Sequence, residues 1–259
     1  MRLAMKRRVY LSLALGAGVL VVYAVRIDRA PGRLGARTAT AYARLPLHFE
    51  ANQGQTDPQV KFLARGIGHA LFLTQREAVL VLSQPQAAAQ GRQTVLRMGF
   101  VRGNPQARVT GLTLLPGTAN YFVGHDPTQW RANVPLYATV RYHDLYPGID
   151  LSCSGDQRHL EFAFLVSPGV DLNRIVLRWQ GADSLVVDQQ GDLELHTGAG
   201  TMRQGKPVIY QERGGARHEI AGRYVRKGVD QVAFEVAAYE PGRPLVIGGN
   251  APFSIIPVR

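Results

Sequence analysis

The chain is predicted to be all-β, an antiparallel sandwich-like fold or two packed β-sheets, preceded by one N-terminal hydrophobic helix. Three observations predict it. From Leu45 onward the sequence consists of short apolar runs punctuated by Gly, Pro, Asn and Asp, and no helical period lasts beyond two turns. The C-terminal half alternates with period two. Phe162, Phe164 and Val166 oppose Glu161 and Ala163, and Ile175, Leu177 and Trp179 oppose Arg178. Leu193 and Leu195 alternate with Glu194 and His196, and Val232, Phe234 and Val236 with Ala233 and Glu235. Successive side chains of a strand point to opposite faces, so this pattern fits half-buried antiparallel strands. Finally, turn signals separate the runs, at Pro168-Gly169, Gln190-Gly191-Asp192, Gly214-Gly215 and Pro241-Gly242.

In chain order, Arg2, Lys6, Arg7 and Arg8 precede 17 uncharged residues, 9–25, which end at Arg26. This is the layout of a signal peptide or an uncleaved signal anchor. Cleavage fits after Ala24 better than after Ala41, and 17 residues is the lower limit for spanning a hydrocarbon core of roughly 30 Å. The expected location is exported: periplasmic, cell-surface or extracellular, with residues 9–25 holding the chain in a membrane if the signal stays. Residues 26–44, rich in Ala, Gly and Arg, read as a flexible linker. Residues 45–247 form the β-domain, with room for a division into two sub-sheets at about 45–115 and 116–247, and 248–259 form a tail. Residues 60–64, 70–74 and 78–82 are strand-length, with Gly66 and Gly68 at a turn. Residues 84–92 are a polar, alanine-rich loop, after which 94–101 and 107–115 resume β character.

Charge and cysteine count narrow the partners. The formal charge is +11, but residues 1–44 hold nine Lys/Arg against Asp28 alone, which accounts for +8. The other 215 residues carry 21 basic and 18 acidic side chains with no basic cluster, so nucleic acid is not an expected partner. The single Cys153 excludes an intrachain disulfide framework and is expected as a small buried residue.

The stretch 115–164 concentrates the chemistry-bearing side chains: Tyr121, Tyr137, Tyr142, Tyr146, Trp130, Cys153, His125, His143 and His159. Candidate ligand-contact residues are Tyr121, Asp126, Trp130, Arg131, Tyr142, His143 and Tyr146. Tyr121, Trp130, Tyr142 and Tyr146 would form a platform for stacking sugar rings, with Asp126 and Arg131 as polar partners. Aromatics equally suit strand packing, which is the favoured reading. Asp126-Pro127-Thr128 reads as a turn or short helical start capped by Asp126. His143-Asp144 has the composition of an acid–base pair, but strand neighbours point apart unless a turn intervenes. His48, Glu50 and Asn52 share a face, yet zinc needs three or four ligands and no HExxH or Cys/His spacing occurs. A polar strand edge leading into the Asn52-Gln53-Gly54-Gln55 turn explains them better. A carboxylate pair drawn from Asp144, Asp150 and Glu161 is a weak signal among 18 acidic residues. Gly-x-Ser-x-Gly elbows and phosphate-cradling loops are lacking. No catalytic residue, metal ligand or cofactor is expected.

Several ordered segments carry a family resemblance: Leu47-His-Phe-Glu-Ala-Asn-Gln-Gly-Gln55, Tyr121-Phe-Val-Gly124, Asp126-Pro127, Trp130-Arg131 and Val134-Pro135. Val140-Arg-Tyr142, Tyr146-Pro-Gly-Ile-Asp-Leu151, Gly181-Ala-Asp183, Gly191-Asp-Leu193, Lys206-Pro-Val-Ile-Tyr-Gln211 and Arg243-Pro-Leu-Val-Ile247 continue it. Residues 45–247 thereby resemble the uncharacterised N-terminal domain of exported bacterial proteins carrying SBBP β-propeller repeats. Ser152-Cys153-Ser154 departs from an aromatic-rich strand of that family. Gly248-Gly249-Asn250 stands where relatives run into a repeat start, so the repeats are expected to be lacking. The resemblance supplies no catalytic residues. The export segment, the turn-rich all-β pattern and the lack of a coherent catalytic set point to an exported, non-enzymatic β-domain for cell-envelope or surface interaction, with an envelope protein or glycan as its partner. The alternatives are a carbohydrate-binding module using the aromatics of 115–164, and a hydrolase.

Overall fold

In the computed structural model, residues 46–82, 94–157, 159–198 and 200–248 are described in full, and 10–13, 21–24 and 253–257 by their backbone. Strands β1 (Tyr10–Leu13) and β2 (Val21–Ala24) pair with each other. The expected hydrophobic helix over 9–25 otherwise lies outside the described residues, as do the linker and the 84–92 loop. No described helix is long and apolar enough to cross a membrane.

An antiparallel meander follows: β3 (Phe49–Ala51), β4 (Val60–Gly66), β5 (His69–Thr74), β6 (Glu77–Leu82) and β7 (Thr94–Phe100). Gly68, at φ 77°, makes the β4–β5 turn. Strands β8 (Arg108–Tyr121) and β9 (Arg131–Tyr146) form a long hairpin, and β10 (Ile149–Gly155) and β11 (Leu160–Val166) a shorter one. Ten strands complete the fold. They are β12 (Val176–Gln180), β13 (Ser184–Val187), β14 (Leu193–Thr197), β15 (Gly200–Gln204) and β16 (Ile209–Arg213), then β17 (Ala216–Glu219), β18 (Gly222–Arg226), β19 (Gln231–Val236), β20 (Leu245–Gly248) and β21 (Phe253–Pro257).

The large sheet forks at β9. Strand β8 takes one edge of β9, while β10 and β3 take successive parts of the other, through Tyr142↔Leu151 and Tyr137↔Phe49. One wing runs β10–β11–β20–β16–β17 and the other β3–β4–β5–β6–β7–β12–β19–β18. The inner faces of both wings share one core, including Phe49, Leu71, Leu96, Tyr142, Leu151, Phe164, Leu177 and Ile247. Phe164 meets Phe234 edge-on across the layers, with ring centroids 5.8 Å apart. The small sheet β13–β14–β15–β21 adds Leu185, Leu193, Leu195 and Met202 to the same core. The predicted all-β class and packed layers are thus observed.

Three boundaries differ from expectation. The division near residue 115 is not followed, because β12 closes the outer edge of β7 through Trp179↔Met98 and then pairs β19. An open strand edge is a row of unpaired backbone groups, and local alternation does not say which distant strand will satisfy it. Strand β8 runs on to Tyr121, because Thr113 (φ 57°) and Gly117 (φ 99°) flank a register shift that breaks the period of two. Within the expected tail, residues 253–257 are β21, paired to β15.

The runs at 70–74 and 78–82 fail to alternate for a physical reason. Both faces of that wing are buried: Phe62, Leu71, Leu73 and Leu80 belong to the main core, while Leu63, Phe72, Val79 and Val81 form a second cluster on the opposite face.

Cys153 lies opposite Val140 and Phe162 and is 1% exposed. Burial pushes its thiol well above the ordinary range. A maleimide at pH 8 should therefore label it only after denaturation, since the thiolate is the reactive form. A native labelling rate near that of the unfolded chain would contradict this placement.

Candidate functional site

Among the described residues, four of the seven exposed large apolar side chains, Leu114, Phe122, Val123 and Trp130, lie on the β8–β9 hairpin or its link. Ala119↔Val134 and Tyr121↔Arg131 are its last pairs, and residues 122–130 between them are all exposed. The link is ordered by short-range chemistry. Asp126 Oδ1 accepts from the backbone N of Thr128 at 2.9 Å and from its Oγ1 at 2.7 Å, which holds the Asp126 carboxyl below its usual range. Pro127–Gln129 forms one 3-10 turn, closed by Gln129 N to Asp126 O and Trp130 N to Pro127 O, both 3.1 Å. This is the cap expected from the sequence. The turn swings Trp130 against Phe122, edge to face, with centroids 5.3 Å apart. Phe122 is 63% exposed, Val123 68% and Trp130 39%.

Beneath this apex sits a partly buried polar cluster. Tyr121 donates its hydroxyl to the Glu50 carboxylate. Arg65 Nη1 donates to Glu50 Oε1 at 2.7 Å and to the Tyr121 hydroxyl at 2.7 Å, and its guanidinium lies 5.6 Å from the Tyr121 ring centroid. The Glu50 side chain is 5% exposed and that of Arg65 34%. Burial, aided by the bond to Glu50, pushes the Tyr121 phenol up to about 12, so it stays protonated and keeps donating at neutral pH. Burial disfavours the Arg65 cation, but Glu50 and Tyr121 outweigh it and raise its proton affinity.

A second fastening lies alongside. Arg131 Nε donates to the Gln53 carbonyl at 2.7 Å, and its Nη1 to the carbonyls of Thr128 and Trp130, both at 2.9 Å. The Gln53 loop is itself held by Asn52, whose Nδ2 donates to Asp57 O and Val60 O at 2.8 Å and whose Oδ1 accepts from Gly54 N at 3.0 Å. Gly54 has φ 101°, a backbone conformation that favours glycine, and a Cβ there would stand 2.9 Å from Arg131 Nε and press on its side chain. Beside this loop a cavity of about 450 Å³ is lined by Asn52, Gly54, Thr56, Pro58, Val60 and Lys61.

The seven candidate residues therefore separate. Tyr121, Asp126, Trp130 and Arg131 belong to one construction at the end of the hairpin. Tyr142 and Tyr146 do not join it. They are 0% and 2% exposed, and their hydroxyls donate to Thr74 O at 2.7 Å and Val176 O at 3.1 Å. Burial raises both phenols well above the ordinary range. The four-ring platform is thus not assembled, because only the apex half of the hairpin leaves the layers. His143 Nε2 pairs with Thr110 Oγ1 at 2.8 Å, and its Nδ1 is 3.9 Å from Asp150 Oδ2. Asp144 takes φ 47° and caps the following turn through Gly148 N at 3.3 Å. The His143 neighbour is therefore Asp150, across the turn, and not Asp144. Among the described residues, no group of three or more His, Cys, Asp or Glu is placed to hold a metal ion.

Sequence reasoning missed Arg65, Phe122 and Val123, and it took Glu50 for part of a polar strand edge. The Phe122-Val123 pair next to Gly124 was a readable signal, two apolar residues within a turn-rich link. Arg65 offered none, since it sits fifteen positions from Glu50 on another strand.

Residues 49–248 match the family described as a domain of unknown function (DUF7948). No curated protein and no solved structure matches the chain.

Proposed function

The chain belongs to the DUF7948 family, a domain of unknown function, and from that premise we propose that it is an exported, non-enzymatic β-domain that engages a partner at the cell envelope or surface through the apex of the β8–β9 hairpin. One observation carries the reading. Phe122, Val123 and Trp130 stand together in solvent, while the strands behind them are fastened by Glu50, Arg65 and Arg131. Clustered exposed aromatics on an ordered base are how interaction surfaces are built. A loop without function would gain nothing from holding them there. The basic residues and uncharged run before residue 26 support export, as does the resemblance to domains that precede SBBP repeats in exported proteins. The glycan-stacking alternative loses two of its four rings to the core.

The test uses the full chain and an isolated envelope fraction. Phe122→Ser/Val123→Ser/Trp130→Ser is expected to weaken envelope binding at least about tenfold, with melting nearly unchanged because all three side chains are exposed. Unaltered binding would remove the apex from the reading. Hydrolysis of glycans, esters or peptides by the full chain, abolished by a point mutation, would overturn its non-enzymatic part.

A further inference from the structure

We propose that the occupant of the β8–β9 apex is a lipid bilayer surface, with Phe122, Val123 and Trp130 entering the interface between headgroups and acyl chains. The inference rests on the envelope reading above and specifies the partner.

Area separates a bilayer from a protein. At their observed exposures the three side chains present roughly 300 Å² of apolar surface. A stable protein interface buries about 800 Å² on each partner. A bilayer has no such threshold, because interfacial binding scales with whatever apolar area enters. Position is compatible: the three residues lie in the exposed link that closes the two-stranded β8–β9 hairpin.

Charge and hydrogen bonding agree as well. Between Ala119 and Pro135 the only formal charges are Asp126 and Arg131. Asp126 is bonded to the Thr128 N–H and hydroxyl, and Arg131 to the carbonyls of Gln53, Thr128 and Trp130. The N–H groups of Thr128, Gln129 and Trp130 are also satisfied within the turn. Turn donors and an Arg131 that are already bonded lose less on leaving water than free ones would, and the ionised Asp126 carboxylate stays in the hydrated headgroup layer. His125 is exposed and lies within the same link. Tryptophan is moreover the side chain that settles best at the headgroup level.

The tryptophans supply the readout. Trp130 is exposed, whereas Trp179, the only other tryptophan, is 4% exposed in the core. The full chain would be mixed with phosphatidylethanolamine–phosphatidylglycerol vesicles, with and without doxyl-labelled lipid. A blue shift of the emission, quenching by the doxyl lipid and loss of both in Trp130→Phe are expected. Phe122→Ser/Val123→Ser should need at least about tenfold more lipid for the same shift. Vesicle binding with an unshifted Trp130, driven by residues 9–25 alone, would overturn the proposal. So would doxyl quenching that survives Trp130→Phe. If apex variants lose the envelope fraction while wild-type Trp130 is blind to lipid, the lipid assignment fails and the interaction reading stands. If neither preparation responds to the apex variants, both fail.

Discussion

Tyr142→Ala is expected to lower folding stability by about 3–5 kcal/mol, the usual range for removing a large buried aromatic side chain. Tyr142 is 0% exposed, and its ring meets Phe100 edge-on at 5.4 Å. It sits on β9, the strand shared by both wings, so the cavity would open where the layers meet. Its hydroxyl also satisfies the Thr74 carbonyl at the end of β5. Tyr142→Phe keeps the ring and orphans that carbonyl, so about 1–3 kcal/mol should be lost. Urea unfolding of the full chain measures both. A loss below about 1 kcal/mol for the alanine variant would contradict the core placement. Envelope binding by the folded fraction should be unchanged in Tyr142→Phe, as expected of a residue that faces inward.

The second large effect is expected at Arg65. Removing one partner of a buried ion pair strands the other, at about 3–5 kcal/mol when both are fully buried. The Arg65 side chain is 34% exposed and water screens part of the pair, so Arg65→Ala should cost about 2–4 kcal/mol. Glu50 would keep only the Tyr121 hydroxyl. The companion Glu50→Gln/Arg65→Ala should recover part of the loss, because no buried carboxylate is left unpaired. A double-mutant cycle from denaturant curves reads the coupling directly. A loss for Arg65→Ala below about 0.5 kcal/mol would mean that solvent, not Glu50, holds the guanidinium. The cluster also fixes the base of the hairpin through Tyr121, so the same variant should weaken envelope binding without touching the apex.

Much of this architecture was legible in the residues. Alternation at 161–166, 175–179 and 193–196 placed Phe164, Trp179 and Leu195 on one shared face of each strand, and they are buried. Asp126 before Pro127 announced its cap because the bonds involved span two residues. Cys153 was readable as buried because a lone cysteine is usually a small buried residue. The site was less legible. Tyr121, Trp130, Tyr142 and Tyr146 belong to one hairpin or flank its link, and nothing local distinguishes the two that face solvent or the cluster from the two that fill the core. The Glu50–Tyr121 contact spans 71 residues and the Glu50–Arg65 contact 15.

The sequence by itself determined the all-β class, about half of the strand positions and which residues of those strands share a face. These follow from φ/ψ geometry and a period of two, both of which act over a few residues. Only the tertiary structure decided that β12 closes β7, that residues 253–257 form a strand on β15, and that Tyr142 and Tyr146 point into the shared core. It also decided that Glu50, Arg65 and Tyr121 meet beneath an exposed Phe122–Val123–Trp130 apex. The physical reason is common to all of these. A period of two states that alternate residues face the same way, but which way is inward depends on where the second layer lies. Strand β9 is longer than the overlap of the two wings, so its Tyr142 end is covered and its Trp130 end is not.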